Sequence, residues 1–148
     1  MRFGNIVVAV DGSEVSEGAL DHAVYLAVDG HASLTGIFVV DSKWPDFIGN
    51  DWQSARGARQ GFLDYVRREQ EEQAQLARAQ FSLATHGMDR AVFTVHAGDP
   101  ASVLLAQSAN AEVLIASRRV FQISGRPSLK SLAATLSKKA SCPLMLFP

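Results

Sequence analysis

The segment Arg2 to Ala19, RFGNIVVAVDGSEVSEGA, decides the fold of this chain of 148 residues. Its central run, Ile6 to Val10, is a continuous stretch of aliphatic residues, which is typical of a parallel strand that is buried on both faces. Asp11-Gly12-Ser13 ends the run, and a helical pattern begins directly after it. A strand, tight turn and helix in this order predict an α/β sheet with a ligand crevice at the carboxyl end of the strand.

Two roles are open for the residues of this turn. Asp11 and Ser13 can each accept backbone N–H bonds at the start of the helix, and Gly12 allows the turn to close without a Cβ clash. In one role the three residues only build the turn. In the other they also contribute to a ligand site in the crevice.

The alternation of strand and helix continues to the end of the chain without an internal repeat or a linker. We therefore predict a single domain, residues 1–148, with an open five-stranded parallel sheet and helices on both faces. After the first strand, the predicted strands are Ser33–Val40, Ala91–His96, Val113–Ala116 and Pro143–Phe147, and the predicted helices are Glu14–Val28, Arg59–His86, Pro100–Ala109 and Ser128–Lys139, the last two with Asp99 and Ser128 as caps.

The longest predicted helix, Arg59–His86, is rich in Gln, Glu, Arg, Ala and Leu, which favour helix formation. Its charged residues indicate a solvated face without a catalytic role, on which Arg67 with Glu71 and Arg68 with Glu72 can pair. Its candidate core residues are Phe62, Tyr65, Val66, Leu76 and Phe81.

The segment Asp41 to Ala58 interrupts the alternation. It combines Pro45 and two glycines with both tryptophans of the chain, Trp44 and Trp52. Turn-forming residues mixed with aromatic residues predict a loop that packs on another surface. A lid over the crevice, a contact with a second subunit and packing on its own domain all fit this pattern.

The composition, with 47% hydrophobic and 20% charged residues, is that of a globular protein. No apolar run approaches the roughly 20 residues that span a bilayer. The N-terminus also lacks the basic and apolar regions of a secretory signal. We expect a cytoplasmic protein without a membrane partner.

Charge is distributed unevenly along the chain. Residues 1–112 carry 8 basic and all 15 acidic residues, a net −7, whereas residues 113–148 carry 6 basic residues and no acid. The basic segment could contact a phosphate or an acidic partner, or it could balance the acidic part within one fold. A duplex-binding domain would be basic overall, so we expect no nucleic-acid partner. The basic residues are Arg118, Arg119, Arg126, Lys130, Lys138 and Lys139.

The reactive residues do not form a recognisable catalytic or metal site. Cys142 is the only cysteine, and the four histidines have no metal-ligand spacing. The chain has no G-x-S-x-G elbow and no G-x-G-x-x-G after a strand. We therefore expect a protein that is not an enzyme and has no metal site.

Five motifs, in this order and spacing, resemble the universal stress proteins over nearly the whole chain. They are IVVAVDGSEVSEGAL at 6–20, VVD at 39–41, AGDPAS at 97–102, AEVLIAS at 111–117 and LKSLAATLSKKASCPLMLF at 129–147. The resemblance implies a Rossmann-like, adenine nucleotide α-hydrolase-like fold. It also implies a homodimer that pairs through the last strand, here the apolar segment Cys142 to Phe147, as an open edge strand allows.

Many members of that family bind ATP through a glycine signature, G-x2-G-x9-G-[S/T], after the fourth strand. The matching positions here are Ser117, Val120, Lys130 and Ser131, so only the final hydroxyl agrees. A β-branched valine at a glycine position with positive φ costs about 1–3 kcal/mol. We therefore expect no ATP or Mg²⁺ cofactor bound in the family's usual way.

The basic residues from Arg118 to Lys130 support the alternative, because cationic side chains can hold phosphate where backbone N–H groups cannot. In nucleotide-binding members of the family, the positions of Asp11 and the Val39 backbone hold the adenosine. We predict a small, non-catalytic regulatory or stress-response protein. The alternatives are a nucleotide sensor or weak ATPase that uses the basic loop for a nucleotide or another anion, and an adaptor that docks a protein through Trp44 to Trp52.

Overall fold

Five parallel strands form one sheet in the computed structural model, which describes residues 3–52, 56–122 and 125–148. The predicted fold class, a parallel sheet with helices on both faces, is confirmed. The strands are β1 (Asn5–Ala9), β2 (Ser33–Asp41), β3 (Ala91–Gly98), β4 (Val113–Ser117) and β5 (Leu144–Phe147), and the helices are α1 (Glu17–Gly30), α2 (Trp44–Ile48), α3 (Arg56–Ala84), α4 (Pro100–Gln107) and α5 (Leu132–Lys139).

The strand order β3-β2-β1-β4-β5 places β1 in the middle of the sheet, where Val7 lies beside Thr35 of β2 and Leu114 of β4. The chain builds from β1 to one edge and then returns to add β4 and β5 on the other side. With right-handed crossovers, α1 and α3 therefore cover one face of the sheet, and α4 and α5 cover the other. The direction reverses between β1 and β4, which is the switch point where ligands bind in open α/β sheets.

The core lies on both faces of the central strands. Ile6 to Val10 are at most 3% exposed, which agrees with the continuous aliphatic run. From α3, Ala77 and Phe81 belong to this core, and Val66 is also buried. Gly36 of β2 makes room for the Phe81 ring, because a Cβ at this position would lie 2.4 Å from the ring.

The prediction of core residues is wrong at two positions of α3. Tyr65 is 55% exposed and Leu76 is 53% exposed. Each precedes a buried residue, Val66 or Ala77, and is therefore rotated by about 100° around the helix axis from the inward face. The apolar character of Tyr65 and Leu76 therefore did not show which side of the helix faces inward.

The charged pairs expected on α3 are also not formed. Arg67 pairs with Asp64, one turn earlier in the helix, and neither Glu71 nor Glu72 is in an ion pair with the arginine predicted for it. An i,i+3 pair is geometrically as accessible as an i,i+4 pair on a helix surface, so the spacing alone does not select the partner.

Short helical turns appear where other structure was predicted. The expected loop at 41–58 contains α2, with Pro45 in its first turn. Ser128 does not cap α5, because Pro127 begins a 3-10 turn, Pro127–Ser131, that contains Ser128 and precedes the helix. In the described part of the chain, no helix has both the length and the apolar character that crossing a membrane requires.

Candidate functional site

The turn after β1 lies at the switch point, and its own chain satisfies its polar groups. Asp11 is 2% exposed. Its Oδ1 accepts hydrogen bonds from the Ser13 N–H at 2.9 Å and the Ser13 hydroxyl at 2.6 Å, while its Oδ2 accepts one from the Phe121 N–H at 3.1 Å. Ser13 Oγ in turn accepts from the Val15 N–H at 3.2 Å. The predicted turn and cap role of Asp11 and Ser13 is therefore confirmed.

Gly12 is required at the centre of this turn for two reasons. Its φ is +80°, a conformation that residues with a side chain rarely adopt. A Cβ on Gly12 would also lie 2.6 Å from the backbone nitrogen of Ala77. The turn and α3 are therefore in backbone contact.

Gln80 of α3 connects the helix to the turn through three hydrogen bonds. Its Oε1 accepts from the Gly12 N–H at 3.1 Å and from the Ser16 hydroxyl at 2.9 Å. Its Nε2 donates to the Ser13 carbonyl oxygen at 2.9 Å. The side-chain amide of Gln80 thereby binds two donors and one acceptor of the turn.

Two more glutamines on α3 bind the carboxyl ends of neighbouring strands. Gln73 Nε2 donates to the Asp11 carbonyl oxygen at 2.6 Å. Gln70 accepts from the Asp41 N–H at 2.5 Å and donates to the Asp41 carbonyl oxygen at 3.2 Å. Gln70, Gln73 and Gln80 form a glutamine row that fixes both strand ends. This row was not predicted, because only the charged residues of α3 indicated a role, that of a solvated face. The i, i+3, i+10 spacing of the three glutamines was the available signal.

Arg126 joins three separate parts of the crevice. Its Nε lies 2.6 Å from Asp41 Oδ2 at the end of β2, and one of its terminal nitrogens lies 3.0 Å from Asp99 Oδ1 at the start of α4. The Arg126 side chain is 12% exposed. Burial lowers the pKa of Arg126, but the hydrogen bonds and charges of the two carboxylates more than offset this effect and raise its pKa.

Asp99 serves both as a helix cap and as a partner of Arg126. Its Oδ2 accepts from the Ser102 N–H at 3.0 Å and from the Ser102 hydroxyl at 3.1 Å, which confirms the predicted cap. Partial burial raises the pKa of Asp99. The hydrogen bonds from Ser102 and Arg126 outweigh burial, so the pKa of Asp99 lies below its usual value.

The loop after β4 folds back over the crevice. Val120 is fully buried, and the following residue, Phe121, adopts the positive φ of 67°. The Phe121 ring packs edge-to-face on Phe38, with 5.6 Å between ring centroids. A non-glycine residue in this conformation is strained, and here its N–H bond to Asp11 and its ring contact hold it in place. Val120 would be strained only if the loop kept the family's course, and the positive φ occurs instead at the next residue.

The crevice between these groups is almost filled. Its remaining volume is about 10 Å³, which is room for about one water molecule. Gly125 contributes to this closeness, because a Cβ there would lie 2.2 Å from the Phe121 carbonyl oxygen. The crevice is lined by Asp11, Phe38, Val39, Asp41, Phe121 and Leu129, among others.

The structure brings only some of the predicted site residues together. Asp11 and Val39 line the crevice. Ser117 is 2% exposed and donates from its hydroxyl to the Pro148 carbonyl oxygen at 3.3 Å. The Ser131 hydroxyl donates to the Ser128 carbonyl oxygen at 3.0 Å, so it too is used by the local turn.

The remaining predicted cations lie on the other side of the loop. Arg118, Arg119 and Lys130 line a separate surface depression of about 460 Å³, together with Ala133, Ala134 and Leu146 of α5 and β5. We call this depression the outer basic groove. Arg118 and Lys130 therefore do not face the crevice that contains Asp11.

Both tryptophans contact other residues of their own domain. The Trp44 ring packs on Phe47 and Phe62, with 5.6 Å between centroids in each case. The Trp52 indole N–H donates to the Ile48 carbonyl oxygen at 3.2 Å. The Trp44 indole N–H is buried and has no hydrogen-bond partner among the described residues. Of the three alternatives for this segment, these contacts correspond to packing on its own domain.

Metal-binding side chains are dispersed in residues 3–52, 56–122 and 125–148. Within these ranges, no group of three or more His, Cys, Asp or Glu side chains is arranged to hold a metal ion.

The doubly wound sheet with its crevice at the β1/β4 switch point defines the class of the protein as a single-domain, Rossmann-like α/β protein. A model of the universal stress protein family matches residues 2–148. The chain therefore belongs to the universal stress protein family, as its motifs predicted.

Solved structures of low sequence identity share the fold. The universal stress protein UspA from Lactobacillus plantarum is 20% identical, with a TM-score of 0.68 over 100% of this chain and 99% of that chain. A universal stress protein in complex with cAMP is 18% identical, with a TM-score of 0.65 over the same shares. The universal stress protein from Archaeoglobus fulgidus in complex with dAMP is 16% identical, with a TM-score of 0.60 over 100% of both chains. A search of curated protein sequences returned no match.

Proposed function

We propose that this universal stress protein is a non-catalytic regulatory protein that does not hold ATP in the family's usual way. The observation that carries this proposal is the filled crevice. Between Asp11 and Val39, where the resemblance to the family implies an adenosine site, only about 10 Å³ remains. The chain's own Phe121 and Arg126 occupy the approach to these residues.

A nucleotide does not fit the residues as they are arranged. It would have to displace the Phe121 ring from Phe38 and break the hydrogen bond between Phe121 and Asp11. To reach the end of β2 it would also have to compete with the two ion pairs of Arg126. Removing a partner from a buried ion pair costs about 3–5 kcal/mol. The glycine positions that would hold phosphates are occupied by residues in the core or in local turns.

The second candidate is a nucleotide sensor, and it is favoured by the relatives solved with cAMP and with dAMP. In this candidate the loop that carries Phe121 and Arg126 opens to admit the ligand. The charges of the basic loop support this candidate less, because Arg118 and Lys130 face away from the crevice.

Isothermal titration calorimetry with millimolar ATP and Mg²⁺, and separately with cAMP and dAMP, distinguishes the two candidates. We expect no heat of binding from the wild-type protein and no nucleotide released when the purified protein is denatured. Binding of any of the three ligands would refute the leading proposal. The variant Phe121→Gly removes the ring while keeping a residue suited to positive φ, so heat appearing only in this variant would identify Phe121 as the obstacle.

We also propose that β5 pairs with its counterpart in a second copy to form a homodimer. β5 is an edge of the sheet, and all four of its residues, Leu144 to Phe147, are apolar and half-buried in the single chain. The carbonyl groups of Pro143 and Phe147 face β4, where they accept from Leu114 and Arg118. By alternation, the N–H groups of Leu144 and Leu146 point to the open edge, where another strand can pair.

The dimer is tested by light scattering on Leu144→Pro, with Leu144→Ala as the matched control. Both variants lose the leucine side chain, but only proline removes the outward N–H group. We expect the wild type and Leu144→Ala to have twice the chain mass of 16.0 kDa, and Leu144→Pro to shift towards the single chain. A monomeric wild type would refute the dimer proposal.

A further inference from the structure

We propose that the outer basic groove binds an acidic, extended segment of a partner protein. The groove lies between the loop after β4, helix α5 and strand β5. Its volume of about 460 Å³ is within the range of about 300–1,000 Å³ that is usual for ligand pockets. A single small anion would leave most of this space unfilled, whereas a few residues of peptide would occupy it.

The cations of the groove are not neutralised by the chain itself. Arg118, Arg119 and Lys130 are all exposed. Among the described residues, the only carboxylates in ion pairs belong to Asp41, Asp64 and Asp99, and none of them pairs with these three cations. The residues that line the groove all lie within 113–148, a range that contains no Asp or Glu.

The positive charge continues along α5 beyond the groove. Lys130, Ala134 and Lys138 are spaced four residues apart, so in α5 Lys138 follows Ala134 on the same exposed face. A ligand that extends from the groove along this face would meet a further cation. This arrangement favours an elongated acidic partner over a compact one.

The shape of the groove is fixed by a bridge within the loop. Gln122 Nε2 donates to the Arg118 carbonyl oxygen and to the Leu129 carbonyl oxygen, both at 3.2 Å. The buried side chains of Phe121 and Leu129 line the crevice, on the side opposite to the groove. The groove is therefore preformed, and the inference does not rest on whether nucleotide enters the crevice.

The side chains that line the groove favour an acidic protein segment over other anionic macromolecules. The groove presents the aliphatic side chains of Ala133, Ala134 and Leu146 beside its cations, and its described lining includes no aromatic ring on which a base could stack. Alternating carboxylates and aliphatic side chains match this lining.

The test is fluorescence anisotropy with a labelled peptide that alternates Glu and Leu. We expect the wild type to bind it and added salt to weaken the binding, because the contacts are exposed charges. The double variant Arg119→Ala/Lys130→Ala should bind about two- to thirtyfold more weakly, from two exposed charge contacts. Lys43→Ala/Arg68→Ala removes one lysine and one arginine that are exposed elsewhere and should leave binding unchanged.

Several results would overturn the inference. These are no binding by the wild type at millimolar protein, equal binding of a Gln-Leu peptide of the same length, or the same loss in both double variants. Tighter binding of a single-stranded oligonucleotide than of the acidic peptide would assign the groove to nucleic acid instead. Self-association that is lost only in Arg119→Ala/Lys130→Ala would assign it to a second copy. Because all four residues are exposed, circular dichroism should show unchanged melting in each variant.

Discussion

The Asp11 carboxylate accepts a hydrogen bond from the Phe121 backbone N–H at 3.1 Å, across 110 positions in the sequence. This bond joins the end of β1 to the loop after β4, the two sides of the switch point. It also holds Phe121 in its positive-φ conformation over Phe38. One buried carboxylate therefore orders the first turn of the chain and closes the crevice above it.

Replacing Asp11 by alanine should destabilise the protein by about 2–5 kcal/mol, because it leaves the partly buried N–H of Ser13 and the buried N–H of Phe121 without an acceptor. Asp11→Asn retains one carbonyl oxygen and should cost less. Urea denaturation measures both effects. Asp21→Ala, at an exposed position of α1, is the control and should change stability little. A cost for Asp11→Ala as small as the control's would contradict the role assigned to this carboxylate.

Gln80→Ala should loosen the turn after β1, because it removes three hydrogen bonds, to Gly12, Ser13 and Ser16. A loss of about 1–3 kcal/mol is expected from the unsatisfied groups. Hydrogen exchange at the Gly12 amide should accelerate in parallel. Gln75→Ala, on the exposed face of the same helix, provides the comparison. If the Gly12 amide exchanged equally fast in both variants, Gln80 would not hold the turn.

Gly12→Ala should destabilise the protein by at least about 1–3 kcal/mol, from its positive φ alone. The close approach to Ala77 adds to this cost, since the new Cβ would lie 2.6 Å from a backbone nitrogen. Gly61→Ala, in open space within α3, should instead stabilise the helix by about 0.5–1 kcal/mol. Thermal unfolding of the two variants should therefore shift in opposite directions, and a shift of the same sign would contradict the prediction.

The contribution of Asp99 should depend on pH. Its pKa is lower in the folded protein than the ordinary value of about 3.9, because Ser102 and Arg126 stabilise the carboxylate against the effect of burial. The carboxylate therefore stabilises the folded state at pH values above its ordinary pKa. This stabilisation is lost as the pH falls through the pKa of the folded state. Asp99→Asn should be less stable than the wild type near pH 7, and the difference should shrink below about pH 4. Urea titrations across this range measure it, and a constant difference would contradict the assignment.

The sequence predicted the sheet well because buried parallel strands leave a direct signal. Ile6–Val10 and Val113–Ala116 are continuous aliphatic runs, and both are buried central strands. The start of α4 at Asp99 and Pro100 was predicted equally well, because a helix cap and an N-terminal proline act on residues close to them in the chain. These features depend on residues close together in the chain.

The features that the sequence did not predict depend on contacts between distant segments. Gln70 and Gln80 are helix-forming residues like their neighbours, and only the position of α3 over the strand ends gives them partners. Likewise, the absence of the family's glycines after β4 indicated an altered loop. It could not indicate that the Phe121 ring packs on Phe38 or that Arg126 forms an ion pair with Asp41.

The contacts that close the crevice have a consequence for how the protein forms. Phe121 and Arg126 reach back to residues 110 and 85 positions earlier. Contacts of such long sequence separation require large loops to close before they can form, which is slow compared with local structure. During synthesis, β1, β2 and the glutamine row of α3 leave the ribosome well before Phe121. The N-terminal half therefore exposes an open crevice until the last fifth of the chain arrives and covers it.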